Sequence, residues 1–481
     1  MKTLKNFIGG KFVGPTSKSY FENVCPFNGE VYSMVPNSDE KDVEIAVENA
    51  KEASKTWAKE KTSVRANILK KIASLIRKNL DELAKAETID NGKPLKISTT
   101  IDIPRSALNF EFFAENISQL NGQFFPMDGE AFNYTLHRPL GTVACISPWN
   151  LPLYLLTWKI APALATGNTV VAKPSEITPM TAYLLGEIVN EAGLPPGVLN
   201  IVHGTGPKVG APLVSHNSID GISFTGSTNT GRFIAEKAAS SFKKVSLEMG
   251  GKNPNIIFSD CDFENAVNTT IRSSFENQGQ ICLCGSRIFV EENIYEKFKN
   301  ALLEKISKLK VGDPLSKSND LGAIVSAPHY DKIKSYIKLA QEEEGNILCG
   351  GEAPQLDTPF SNGYFLKPTL IENLSPTCRT NQEEIFGPVA TITPFKTEEE
   401  VTKWANSTNY GLAGSLWTNN LKRAHRMVEN IDSGILWVNC WMLRDLRTPF
   451  GGMKSSGVGK EGGVYALKFF TEEKNVCIKM N

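Results

Sequence analysis

From about residue 140 the chain falls into alternating short apolar runs and helix-like segments. GTVACISP leads into a helical stretch and then NTVVAKPS; LLGEIVNEAG is followed by GVLNIVHG and later by GISFTGS. Parallel strands need long crossovers, and helices supply them, so this repetition predicts a parallel sheet covered by helices on both faces. A second α/β series starts after NPNIIFSD. A chain of 481 residues exceeds one compact core, so two or three domains are expected.

Residues 40–90 carry helical spacing. Val43, Val47 and Ala50 share a face, as do Ile68, Ile72, Leu75 and Ile76, and Asn91-Gly92-Lys93-Pro94 ends the pattern. Two segments stand outside the alternation: residues 121–137, and the tail EEKNVCIKMN, which reads as a lone alternating strand. Either they form an arm that adds to another subunit's sheet, or they are local surface hairpins; both readings stay open.

Lys+Arg and Asp+Glu are both 52, so the formal charge is zero and no basic excess points to nucleic acid or a membrane surface. The N-terminal MKTLKNFIGGKF lacks a signal-peptide core. The most apolar run, LPLYLLTW, stops at Lys159, well short of the roughly 20 residues of a spanning helix. Nine cysteines without a CxxC pair suggest reduced thiols and a cytoplasmic setting. The five histidines show no metal spacing, so no metal site is expected.

Cys282 lies in FENQGQICLCGSR, flanked by Gly279, Gly285 and Ser286. That composition suits an exposed turn that a ligand can approach, and a thiolate is a strong nucleophile near neutral pH. Packing is the ordinary role of such a cysteine, and Cys284 competes on chemistry alone. Glu248, between Leu247 and Met249 in LEMGGKNP, is either a surface charge or a partly buried base with a raised pKa. Asn150, ending ISPWN, is either a helix cap or an amide donor to an oxyanion. Gly226, Ser227 and Gly231 in FTGSTNTG suit a phosphate at a helix N-terminus. Lys173 and Glu176 in KPSE form a surface ion pair or hold ribose hydroxyls.

Together ISPWN, KPSE, FTGSTNTG, LEMGGKNP, FENQGQIC, EEIFGPV and TPFGGMKSSG resemble the aldehyde dehydrogenase superfamily in order and spacing, from about residue 5 to the C-terminus. The resemblance implies an α/β aldehyde dehydrogenase fold: two Rossmann-like parallel-sheet domains plus an oligomerisation arm. It places the dinucleotide-binding domain at 1–120 and 138–249, the catalytic domain at 250–455 and the arm at 121–137 and 456–481. It implies NAD-dependent oxidation of an aldehyde to an acid through a thioester on Cys282, with Cys284 a bystander. Glu248 becomes the base for the hydrolytic water, and Asn150 the oxyanion donor with the Cys282 N–H. Lys173 and Glu176 match adenosine-ribose ligands, Gly226 and Ser227 lie by the pyrophosphate, and Trp149 lines the cleft. Glu384 and Phe386 match contacts to the nicotinamide ribose, and Glu461 a second carboxylate that relays protons in some members. A homodimer or homotetramer is implied.

NCWMLRDLRTPFGGMKSSGVGKEGG, FFTEEKNVCIKM and ISPWNLPLYLLTWKIAPALATGNTVV look most like the 2-hydroxymuconic and 2-aminomuconic semialdehyde dehydrogenases, whose substrates bear carboxylates. Guanidinium groups suit such substrates. Of Arg105, Arg444 and Arg447, the first two match substrate contacts of that subfamily, with Trp158 and Trp441 as expected apolar walls of an aldehyde tunnel. The alternative is a broad-specificity enzyme for betaine aldehyde, retinal or aliphatic aldehydes.

Overall fold

A computed structural model describes residues 1–480. Two large sheets form its centre. The first runs Gly457–Val458, Lys244–Glu248, Gly221–Thr225, Thr142–Ile146, Thr169–Lys173, Leu199–Ile201, Asn6–Ile8 and Lys11–Val13. Its five inner strands are parallel, and the flanking strands pair antiparallel. The second runs Asn346–Cys349, Thr369–Glu372, Val389–Phe395, Arg287–Glu291, Pro254–Ile257, Ala413–Trp417 and Ile435–Val438, parallel except at its first strand. Strands such as Thr142–Ile146 and Thr169–Lys173 are buried throughout, because helices cover both faces.

Among the parallel strands of the first sheet the chain starts at Thr142–Ile146, builds outward to Leu199–Ile201, then returns to the other side of that strand at Gly221–Thr225. The crevice outside the carboxyl ends of those two central strands is where open α/β sheets bind ligands. The helical region folds as three helices, Glu40–Trp57, Thr62–Lys78 and Leu80–Asn91. Val43, Val47, Ala50, Ile72, Leu75 and Ile76 are buried, whereas Ile68 is only partly so. The last helix ends on Gly92, at φ 83.

Phe124–Met127, Ala131–Pro139 and Thr471–Lys479 form a separate antiparallel sheet, so hairpin and tail pair with each other within one chain. Gly457–Val458 extends the first sheet and the helix Gly463–Phe469 lies on its core, because Ala466 and Leu467 need apolar cover; only the strand from Thr471 pairs with the hairpin.

Candidate active site

Three loops leave the carboxyl ends of parallel strands of the first sheet and converge with two that lead into strands of the second. After Thr142–Ile146 comes Pro148-Trp149-Asn150, ahead of the helix Pro152–Ala165. The N-cap of that helix is Leu151 with no side-chain bond, so Asn150 is not a cap. Its amide Nδ2 donates to the Gln280 carbonyl at 3.0 Å, two residues before Cys282. After Gly221–Thr225, Gly226 leads to Ser227, which caps the helix Thr228–Ala239 by accepting from the Thr230 N–H at 3.3 Å. That helix start presents backbone donors and a positive dipole end, and the Thr225 hydroxyl beside it is buried with no partner.

Glu248 closes the strand Lys244–Glu248 and is buried, with neither carboxylate oxygen hydrogen-bonded. Gly451 packs directly on it: a Cβ there would lie 2.5 Å from Oε1. Burial, and then the nearby Glu461 charge, hold the Glu248 carboxyl well above the ordinary range. Glu461 itself is bound to Lys159 at 2.6 Å, with Ser223 bridging them. Lys159 lies in a helix buried along its whole length, so its ammonium requires such a partner.

A cavity of about 220 Å3 joins these loops, lined by Trp149, Asn150, Gly226, Ser227, Cys282, Glu384 and Phe386 among others. Cys282 is half-buried in a turn whose carbonyls at 282 and 284 accept from Asn253 Nδ2. The expected exposed turn is thus a buried one, because Asn253 and the cluster around Trp441 hold it inward; Cys284 is fully buried there. Burial, then Glu384 and Glu248, push the Cys282 thiol up to about 12. Glu384 Oε1 accepts from the Gly251 N–H at 2.9 Å, and Gly250 leaves room for it, since a Cβ there would meet that carboxylate at 2.3 Å. Phe386 stands edge-on to Trp149 at 5.3 Å, and His329 bonds the Phe386 carbonyl at 2.7 Å.

Lys173 and Glu176 sit at the end of the neighbouring strand, outside the lining of that cavity, and pair at 2.6 Å. Glu176 Oε1 also accepts from the Gly206 N–H at 3.3 Å. Lys173 is buried and Glu176 half-buried, so this is no surface pair.

Arg105 and Arg444 meet at Tyr154. Arg444 Nη1 donates to the Tyr154 hydroxyl at 3.0 Å, and Arg105 lies 4.9 Å over its ring and 5.1 Å over Trp158. Arg105 is held by Asn109 Oδ1 at 3.0 Å, while its Nη2 is buried without a partner. Burial, with the Arg444 charge adding to it, lowers the Arg105 guanidinium to about 10. Arg444 lies close enough for its charge to act on both Cys282 and Glu248. Among the described residues no carboxylate pairs with either arginine, whereas Arg447 pairs with Asp445 on the surface. Among the described residues Trp441 makes no contact with these arginines; its indole N–H donates to the Leu283 carbonyl beside Cys282.

Sequence reasoning missed Tyr154, Lys159 as a partner of Glu461, and His329. Tyr154 and Lys159 lie in a uniformly apolar stretch that reads as core, and only the lysine in such a stretch signals a buried partner.

A sequence model of the aldehyde dehydrogenase family matches residues 12–476. The 2-aminomuconic semialdehyde dehydrogenase of Danio rerio is 50% identical over 479 residues, covering 99% of this chain and 98% of its own. The 2-hydroxymuconic semialdehyde dehydrogenase of Pseudomonas sp. (strain CF600) is 45% identical over 486 residues, covering both chains fully at 100%. A structure of an aldehyde dehydrogenase from Bacillus cereus in complex with NAD+ superposes at TM-score 0.97 with 39% identity, covering 100% of this chain and 97% of that one.

Proposed function

The chain belongs to the aldehyde dehydrogenase family, and on that premise we propose that it oxidises a carboxylate-bearing semialdehyde, of the 2-aminomuconic or 2-hydroxymuconic type, with NAD as electron acceptor. The observation that carries the substrate reading is the pair Arg105 and Arg444, two guanidinium groups joined by Tyr154 with no acidic partner beside the nucleophile. A cationic substrate such as betaine aldehyde meets repulsion there.

The cleft suits a dinucleotide. The orphaned Thr225 hydroxyl and the helix start at Ser227 would hold a phosphate, Glu176 would offer acceptors for ribose hydroxyls, and Glu384 with Phe386 and Trp149 flanks the Cys282 end. A nicotinamide bound there supplies the hydride acceptor.

The Cys282 sulfur attacks the aldehyde carbon, and the oxygen that becomes negative accepts from the free N–H of Asn150 and from the Cys282 backbone. Burial raises the Cys282 thiol, so the attack needs a base to take its proton. Glu248, raised by burial, has the basicity to take that proton. Loss of hydride from carbon leaves a thioester. Glu248 then deprotonates water, the hydroxide adds to the thioester, and the acid leaves as the thiol is restored. Glu248 must release its proton between the two steps, and Lys159–Glu461 offers the exit.

Phe124, Phe125 and Met127 are exposed on the edge strand of the arm, which suits burial in a homodimer or homotetramer. All nine cysteines are unpaired, which fits a cytoplasmic setting. The test of the substrate reading is NADH production from a muconic semialdehyde against an uncharged aldehyde of similar length. A preference for the charged substrate is expected; equal efficiency rejects the reading.

A further inference from the structure

The backbone of Asn150 rests on a buried charged cluster that the chemical steps do not use. The Gly92 turn ending Leu80–Asn91 sends Lys93 inward, where its side chain has no solvent exposure. Its ammonium donates to Asp102 at 2.5 Å, Glu87 at 3.3 Å and the Asn150 carbonyl at 2.9 Å, so all three of its hydrogens are engaged. Asn277 adds a second donor to the Asn150 carbonyl at 3.2 Å, and Asn91 donates to the Trp149 carbonyl at 2.8 Å. Glu87 also accepts from the Leu153 N–H at 3.2 Å, a first-turn donor of Pro152–Ala165 that has no partner within its own helix. The Asn150 peptide is thus fixed from both sides.

Burying one ammonium with two carboxylates is a poor way to stabilise a fold, because desolvation offsets most of the attraction. What such a cluster provides is fixed geometry. We propose that Lys93, anchored by Glu87 and Asp102, is a positioning residue that holds Asn150 so that its free amide N–H meets the oxyanion of the Cys282 adduct. This rests on reading Asn150 as the oxyanion donor. One N–H of that amide is engaged by Gln280, which fixes the direction of the other once the backbone is fixed. Without Lys93 that carbonyl keeps the Asn277 bond and a long one from Asn91 at 3.5 Å, and the turn relaxes. A shift of about 1 Å at a reacting centre costs up to roughly a hundredfold in rate.

The experiment is acylation of Cys282 by p-nitrophenyl acetate, which needs no cofactor. The acetyl carbon bonds to sulfur through the same kind of oxyanion, p-nitrophenolate leaves with the C–O electron pair, and the thiol proton is lost. The burst amplitude counts competent sites, and the burst rate constant reads oxyanion stabilisation. Lys93→Met is expected to keep the amplitude and slow the rate constant roughly ten- to a hundredfold. Asn150→Ala should slow it at least as much, and the double variant should be no slower than Asn150→Ala alone. If Lys93→Met loses amplitude through misfolding, Asn91→Ala decides; it removes one donor to the same turn without touching a charge. It should slow the burst several-fold, again with no further loss on the Asn150→Ala background. An unchanged rate constant in the decisive variant, or losses that multiply in its double, overturns the positioning role while a slow Asn150→Ala preserves the oxyanion reading. A normal rate in Asn150→Ala overturns both.

Discussion

Lys173 and Arg444 both bring a positive charge to the site, and their surroundings differ. At the cofactor end Lys173 is matched within the chain, 2.6 Å from Glu176. At the proposed substrate end Arg105 and Arg444 share an aromatic residue and, among the described residues, meet no carboxylate. A self-compensated pair suits a ligand that arrives with hydroxyls. Two half-buried guanidinium groups without a counter-ion suit a ligand that brings its own negative charge, since leaving them unmatched is costly. Arg447 sharpens the point: three residues from Arg444, it has a surface aspartate and nothing left to offer.

The largest expected effect lies between the two ends, where both meet. Cys282→Ser should lower turnover about a thousandfold or more, while NAD binding, followed by fluorescence titration, persists. Loss of activity in Cys284→Ser with Cys282→Ser active would reverse the assignment. Glu248→Gln should reduce steady turnover roughly a hundredfold or more, after a burst of NADH that is slower but reaches the same amplitude, because deacylation loses more than acylation. Mass spectrometry should then find the acyl group on Cys282; steady turnover without an adduct removes Glu248 as the deacylation base.

At the cofactor end, the 2′-phosphate of NADP would meet the Glu176 carboxylate, so kcat/KM should favour NAD roughly ten- to a hundredfold. Glu176→Gln should narrow that gap. Equal efficiency of the two cofactors in the unaltered protein would show that Glu176 does not read the ribose.

The smallest effect concerns pH. Glu248 acts as a base only when ionised, and burial together with Glu461 holds its carboxyl well above the usual range. Deacylation should therefore fail as pH drops through that raised value, not through the ordinary carboxylate range. Glu461→Gln removes a like charge and frees Lys159, and both changes move the acidic limb of the profile to lower pH. An unmoved limb would detach Glu461 from Glu248.

Much of this was legible in the residues. The α/β alternation follows from apolar periodicity, and each strand–loop–helix motif fell at the carboxyl end of a strand, where the fold gathers ligands. The motifs also singled out Cys282, Glu248 and Asn150 through their order along the chain, as the candidates on which the proposed chemistry rests. Burial was less legible: the glycines around Cys282 suggested an exposed turn, but Asn253, 29 residues away, pulls it inward. Partners distant in the chain stayed hidden for the same reason. Nothing near Lys93 announces Asn150, and nothing near Arg444 announces Tyr154, 290 residues earlier. The pairing of Gly457–Val458 with the first sheet was not legible, because a two-residue edge strand carries no periodicity to read.

The most direct test of the account is a ratio of ratios. The kcat/KM of a muconic semialdehyde and of an uncharged aldehyde of similar length is measured in the unaltered protein and in Arg444→Ala. One charge-assisted contact contributes ~1.5–3 kcal/mol. Arg444→Ala should therefore lower efficiency for the charged substrate roughly ten- to a hundredfold and leave the neutral one almost untouched. Equal losses for both substrates would mean that Arg444 serves the architecture of the site, and would contradict the reading of Arg105 and Arg444 as a carboxylate receptor.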